Sequence, residues 1–433
     1  MSFLEQDYAI LTRHSFAIFE ANSSFTVPTD FFVYSNQILD AHAPGLSFYI
    51  LPFAALGFYL QSGYSSFGWP LRLSEFAVAI SGALAVFLFY KISRRYFSEK
   101  TCVFLSLAFA FSTLLFDYAT NLYPSAFVAM LDLLTVYCVL NLRDQGDKMS
   151  LAAGAGLAIG FSILTDYVQV AFAVVVFFYI CFTKKARTSD ILAYIATLVI
   201  ALLLLGLYNS VAFGEVFRTS EQLYQGSQSI VLNFSFPVWL GLYYDLFSPV
   251  KGILVYDPIL LLSLFGFYLM LKKKELQGQA VLFLTLFFSV LLPYSMWQAL
   301  GGGDAYGQRF LVSVLAFFLL PAGFVLERSK SKISKVGIYA LYGLGVIIAA
   351  VGVFVGTWNA PQRWDSNQFL ESMTNLLSGH DNYAFTWMVS LTPIEAFLVI
   401  QVTISVLVIL PLFLNHLGQS RKAFHQLEHD LTS

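Results

Sequence analysis

Charge is the scarcest commodity in this chain of 433 residues: only 12% are Asp, Glu, Lys or Arg, against 58% hydrophobic residues. A soluble domain could not cover itself with so little polar surface. Cysteine is almost missing too. Cys102, Cys138 and Cys181 lie in or at the ends of apolar segments without metal spacing, which excludes a disulfide scaffold and a thiolate metal centre. No basic tract with interleaved aromatics exists, and the formal net charge is -2, so nucleic acid is not a partner. Met1 to Asn22 carries acids and no apolar stretch of signal-peptide length.

What is present is a succession of apolar runs of about twenty residues between Glu75 and His416, the length that crosses a hydrocarbon core of roughly 30 Å. Lipid cannot satisfy unpaired backbone groups, and long unbroken runs rather than alternating ten-residue strands mean helices. The expectation is an all-α polytopic transmembrane bundle of about eleven spans. They fall near 75–92, 101–116, 123–141, 150–165, 167–183, 190–212, 253–271, 278–296, 310–327, 336–356 and 392–415.

Basic residues cluster in alternate connections: Lys91, Arg94, Arg95 and Lys100; Arg143 and Lys148; Lys184, Lys185 and Arg187; Lys272 to Lys274; Arg328, Lys330, Lys332 and Lys335; Arg421 and Lys422. The positive-inside rule assigns these to the cytoplasm. A plasma-membrane protein results, with residues 1–73 an extracytoplasmic loop carrying juxtamembrane helices, 74–416 the bundle and 417–433 a cytoplasmic tail. Outer loops fall at 213–252, 297–309 and 357–391. Segment 46–64, if it spanned, would put Arg94 and Arg95 outside, so it is expected to lie at the interface.

The outward connections hold six isolated basic residues: Arg13, Arg72, Arg218, Lys251, Arg309 and Arg363. Arg309 ends Gly301-Gly-Gly-Asp304-Ala-Tyr-Gly-Gln-Arg309, where glycines allow close backbone approach and a guanidinium could clasp a phosphate or anchor to headgroups. Lys251 has the same two readings. The N-terminal stretch concentrates Glu5, Asp7, Arg13, His14, Glu20, Asp30, Asp40 and His42, and a partly desolvated carboxylate there could be a general base. Asp132 is the clearest acid deep in a span, a thin basis for a transport pathway.

Tyr34-Ser-Asn-Gln-Ile-Leu-Asp40-Ala-His42-Ala-Pro44-Gly45-Leu-Ser-Phe-Tyr-Ile-Leu-Pro52 resembles the outer first loop of polyprenyl-phosphate-sugar glycosyltransferases of the GT-C superfamily, relatives of protein mannosyltransferases and the lipid A aminoarabinose transferase. Thr165-Asp166-Tyr167, Tyr208 to Phe217, Leu246 to Pro258 and Gly303 to Leu311 continue the pattern in order, so that the similarity runs from about residue 5 to 325.

The resemblance implies an inverting transferase that moves a sugar from a polyprenyl-phosphate donor to an extracytoplasmic lipid, glycan or protein acceptor. Asp7 would be the base. Arg309 and Lys251 would hold the phosphate with His42, which stands where the family often has Lys, and Asp117, Asp166 and Asp304 would orient sugar hydroxyls or cap helix ends. No cofactor is assigned; a divalent metal is not required by the sequence. The family has a spanning helix before its catalytic acid, which predicts that the intact protein has, or had, one more helix upstream. The other readings are a transporter or flippase of lipid-linked sugars and an inactive paralogue.

Overall fold

The computed structural model describes residues 19–20, 31–34, 37–40, 42–60, 69–145, 149–183, 186–224, 234–298, 305–355, 367–377, 402–403 and 405–409. Three short strands come first: β1 (Phe19–Glu20), β2 (Phe31–Tyr34) and β3 (Gln37–Asp40), an antiparallel sheet of order β1-β3-β2. In it Phe31 pairs with Asp40 and Tyr34 with Gln37. This sheet stands where a loop with helices was expected.

Helices follow in chain order. They are α1 (Gly45–Leu60), α2 (Trp69–Ser93), α3 (Glu99–Phe111), α4 (Leu115–Tyr118), α5 (Ser125–Gln145), α6 (Met149–Thr165), α7 (Gln169–Phe182) and α8 (Thr188–Phe213). The second half comprises α9 (Ser220–Tyr224), α10 (Val238–Phe247), α11 (Ile253–Tyr256), α12 (Leu261–Leu271), α13 (Lys274–Met296), α14 (Leu315–Leu319), α15 (Ala322–Arg328), α16 (Lys332–Val355) and α17 (Gln368–Leu377). Short 3-10 helices at Pro258–Leu260 and Arg309–Val314 precede α12 and α14.

Among the described residues, six segments are long and apolar enough to cross a membrane: Trp69–Ser93, Ser125–Asp144, Thr188–Phe213, Lys274–Met296, Arg309–Arg328 and Lys332–Phe354. Of the other expected spans, 150–165, 167–183 and 253–271 coincide with shorter apolar helices, and α3 has 13 residues. The span at 392–415 lies mostly outside the described residues, and its described part is helical. The chain is a multi-pass membrane protein. Its lipid-facing surface is plainest on α8, where Leu192, Val199, Leu203 and Leu207 are exposed. The opposite face of α8 packs tightly on α6: a Cβ on Gly156 would lie 2.2 Å from the Tyr194 carbonyl oxygen, and one on Gly160 2.4 Å from Ala201 Cβ. Small residues four apart let the two backbones touch, the usual route to helix association in lipid.

The connections sort onto two ends. At one, Arg95 pairs with Asp144 at 2.5 Å, Arg143 Nη1 donates to the Tyr179 hydroxyl at 3.4 Å, Ser98 Oγ donates to Glu327 at 2.7 Å, and Lys273 Nζ sits 5.7 Å from the Phe324 ring centroid. These contacts join all five of the described basic connections. At the other end meet the turns that follow α3, α6 and α8 and the ends of α13 and α16. Helix α1, 16 residues and so about 24 Å long, runs beside the first part of α2 only. A Cβ on Gly57 would lie 2.4 Å from Pro70 Cα, and Tyr49 Oη donates to the Ala77 carbonyl at 3.0 Å. Its partners thus keep it at the non-basic end.

Candidate functional site

Helix α6 stops at Thr165, and Asp166 makes the corner into α7 by accepting from the Val168 N–H at 3.0 Å. This is an Asx turn at the entry to α7, whose N-cap residue is Val168. The same carboxylate also accepts from the Tyr294 hydroxyl at 2.7 Å, 128 positions later at the end of α13. Tyr294 in turn stacks on Phe310, with centroids 4.0 Å apart and planes 4° from parallel. Next to Phe310 is Arg309, whose guanidinium carbon lies 4.9 Å from the Phe310 centroid and 5.1 Å from that of Tyr123. Arg309 Nε is buried with no hydrogen-bond partner, while its carbonyl accepts from Ser125 Oγ at 3.2 Å.

Burial raises the Asp166 pKa above the usual carboxylate value; hydrogen bonds from Tyr294, Val168 and Gln169 and the charge of Arg309 act against that rise. The corner is therefore a carboxylate and a guanidinium held by aromatic walls. It can hold an anion at the cation and a hydroxyl at the acid.

His42 joins this corner through its backbone. Its carbonyl accepts from Ser220 Oγ at 3.1 Å, and that oxygen is 3.4 Å from the Tyr167 hydroxyl. Gly45 packs so closely on α6 that a Cβ would fall 2.2 Å from Thr165 Oγ1. The first-loop motif and the Thr165-Asp166-Tyr167 motif are thus in contact. Asp117 and Lys251 stand one layer away. Asp117 is fully buried and accepts from Asn121 Nδ2 at 3.0 Å, so it is an interior group rather than a solvated turn acid. Lys251 is also buried, in the turn where Tyr256 Oη donates to the Val250 carbonyl at 2.6 Å. Tyr118 Oη links the layers by donating to the Tyr306 carbonyl at 2.7 Å, and the Tyr256 and Tyr306 rings meet edge to face at 5.2 Å. Asp7 and Asp304 lie outside the described residues. Among the described residues no group of three or more His, Cys, Asp or Glu side chains could hold a metal ion.

One buried acid near the site carried no signal in the sequence. Asp245 on α10 is fully buried and accepts from Ser295 Oγ at 2.7 Å and from Gln308 Nε2; burial pushes its pKa up to about 6 against those two hydrogen bonds. Asp257 accepts from the Leu114 N–H at 2.6 Å and ties the Lys251 turn to α4. Tyr294 and Tyr123 likewise did not stand out in the sequence. The deep acid Asp132 is held by Ser162 Oγ at 2.7 Å on the neighbouring helix.

Residues 49–208 match the family model described as dolichyl-phosphate-mannose-protein mannosyltransferase. This stretch includes Thr165-Asp166-Tyr167; the motifs around Lys251 and Arg309 lie beyond it. Two solved structures of ArnT from Cupriavidus metallidurans resemble the chain. One, bound to undecaprenyl phosphate, has a TM-score of 0.51 and 17% identity over 83% of this chain and 61% of that one. The other, in the apo state, has a TM-score of 0.50 and 13% identity over 85% and 65%. The chain therefore spans less than two thirds of the length of that protein. No curated protein sequence matches it at a significant level. The likeness shows the fold: a polytopic helical membrane bundle like that of ArnT.

Proposed function

We propose that this chain is a membrane glycosyltransferase that takes a sugar from a polyprenyl-phosphate donor and delivers it, with inversion, to a lipid, glycan or protein acceptor on the extracytoplasmic side of the plasma membrane. The observation that carries the proposal is the corner at Arg309: a guanidinium between two rings, with a buried, unpartnered Nε, beside a hydrogen-bonded carboxylate at the end of the bundle away from the basic connections. That is a site for an anion at the membrane edge. The positive-inside rule puts the same end outside. In this reading 1–73 and the loops at 213–252, 297–309 and 357–391 form the outer side, and 417–433 the inner tail.

In the transfer, an acceptor oxygen attacks the anomeric carbon and its proton passes to a carboxylate, for which Asp7 is the candidate from the family pattern. The bond from that carbon to the phosphate oxygen breaks, and the polyprenyl phosphate leaves as an anion. Arg309, Lys251 and His42 stabilise the developing charge. Asp166, Asp304 and Asp117 are the acids left to fix sugar hydroxyls, of which Asp166 is best placed because it already shares the Arg309 corner. Support comes from the match of residues 49–208 to a family of lipid-phosphate-sugar-dependent transferases and from the ArnT fold.

The test is transfer from a labelled polyprenyl-phosphate sugar by the purified chain, compared with R309A and D7N. Loss of one preorganised cation from a developing phosphate is expected to lower kcat/KM by about 100-fold or more. Transfer by R309A at the wild-type rate sinks the phosphate site, and by D7N the proposed base.

A further inference from the structure

Three consecutive residues at the start of α17 reach both cationic turns. Asn367 caps the helix by accepting the Leu370 N–H at 3.0 Å, and its Nδ2 donates to the Pro249 carbonyl at 2.7 Å, two positions before Lys251. Gln368 is fully buried and uses both ends of its amide on the other turn: Nε2 donates to the Ala305 carbonyl at 3.1 Å and Oε1 accepts the Gly307 N–H at 2.9 Å. Phe369 donates its N–H to Tyr256 Oη at 3.3 Å, the same hydroxyl that donates to Val250. The Gly307 turn has φ +62°, and the chain leaves it directly into Gln308 and Arg309. On its N-terminal side, the backbone that carries Arg309 is therefore set by a left-handed residue whose N–H is held by Gln368. On the same first turn of α17, Leu370 is 60% exposed.

Resting on the reading of Arg309 and Lys251 as phosphate ligands, we propose that Gln368 is a positioning residue for a polyprenyl phosphate. It fixes the Arg309 turn relative to the Lys251 turn, which Asn367 holds from the adjacent position, so that the two cations address one phosphate. The turns lie near positions 250 and 307, and Asn367 and Gln368 supply consecutive side chains that contact both, beside the Tyr256–Tyr306 ring contact and the hydrogen bond from Gln308 to Asp245.

The experiment is a double-mutant cycle on the full chain in nanodiscs, with undecaprenyl phosphate as the probe and binding read by microscale thermophoresis. Q368A removes both amide contacts and strands the Gly307 N–H; R309K keeps charge but loses the fork. Q368A is expected to weaken binding by about tenfold. L370A, an exposed change on the same helix, is expected to bind like the wild type. In the R309K background Q368A is expected to add much less than its own factor, because it acts through the residue already changed. Wild-type binding by Q368A, or a full additional factor on R309K, overturns the positioning role while leaving the phosphate site standing. Failure of the wild-type chain to bind, or wild-type affinity in R309K and R309A alike, overturns both.

Discussion

Replacing Asp245 by Asn should make the protein more stable at neutral pH and leave it unchanged in acid. Asp245 is a buried carboxylate whose pKa is pushed from an ordinary 3.8 to about 6 by burial, with Ser295 and Gln308 only partly opposing the shift. The folded state therefore binds its proton more tightly than the unfolded chain. Below pH 4 both states carry the proton and the residue is neutral in its effect. As pH rises from about 4 to about 6 the unfolded chain releases the proton first, and stability falls. Two pK units correspond to about 3 kcal/mol at 1.36 kcal/mol per unit, an upper value of the right order.

Asparagine is isosteric and carries no charge to bury. Its new donor has a waiting acceptor, because Gln308 Oε1 is buried and has no hydrogen-bond partner. Rotation of the Gln308 amide serves it without any change of shape. Thermal unfolding of wild type and D245N in detergent, followed from pH 4 to pH 8, checks this. The two curves should coincide near pH 4 and separate by several degrees above pH 6, D245N melting higher. Equal pH slopes, or a lower melting point for D245N throughout, would refute the assignment of Asp245 as a buried, strained charge. Every other titrating group is shared by the two proteins and cancels in the difference.

Two further outcomes follow from the same corner. Removing the Tyr294 hydroxyl in Y294F deletes a hydrogen bond that holds the Asp166 pKa down, so the acidic limb of the kcat/KM profile should move to higher pH, with the aromatic stack on Phe310 kept; an unmoved limb would show that Asp166 ionisation does not limit transfer. G307A forces a side chain into the left-handed region and puts its Cβ 2.9 Å from both Leu114 Cδ atoms, which should cost about 1–2 kcal/mol in unfolding free energy and weaken lipid-phosphate binding together; denaturant titration and the thermophoresis assay read the two effects.

Much of the bundle was legible because its determinants are local. A run such as Thr188 to Phe213 is apolar residue by residue, and lipid leaves such a run only the helix. The sorting of connections into two ends was legible for the same reason, since Arg95, Arg143 and Lys273 announce their side by charge alone. The small sheet at β1 to β3 is not legible in the sequence: its strands are two to four residues long, too short for a repeating pattern to show. The site was half legible. Arg309, Lys251, Asp166 and His42 stood out as polar groups in connections, whereas Asp117, placed by the sequence in an outward connection, is fully buried.

The sequence by itself determined that the chain is a helical membrane bundle, which of its ends carries the positive charge, and which motifs collect on the other. Only the tertiary structure decided that Asp166 meets Tyr294, that Tyr294 meets Phe310 beside Arg309, and that Gln368 holds the turn before it. Hydropathy and charge act through the solvent around each residue and are written in the local composition. A convergence of side chains from positions 123, 166, 294, 309 and 368 depends on how helices pack against one another, and no spacing along the chain encodes it.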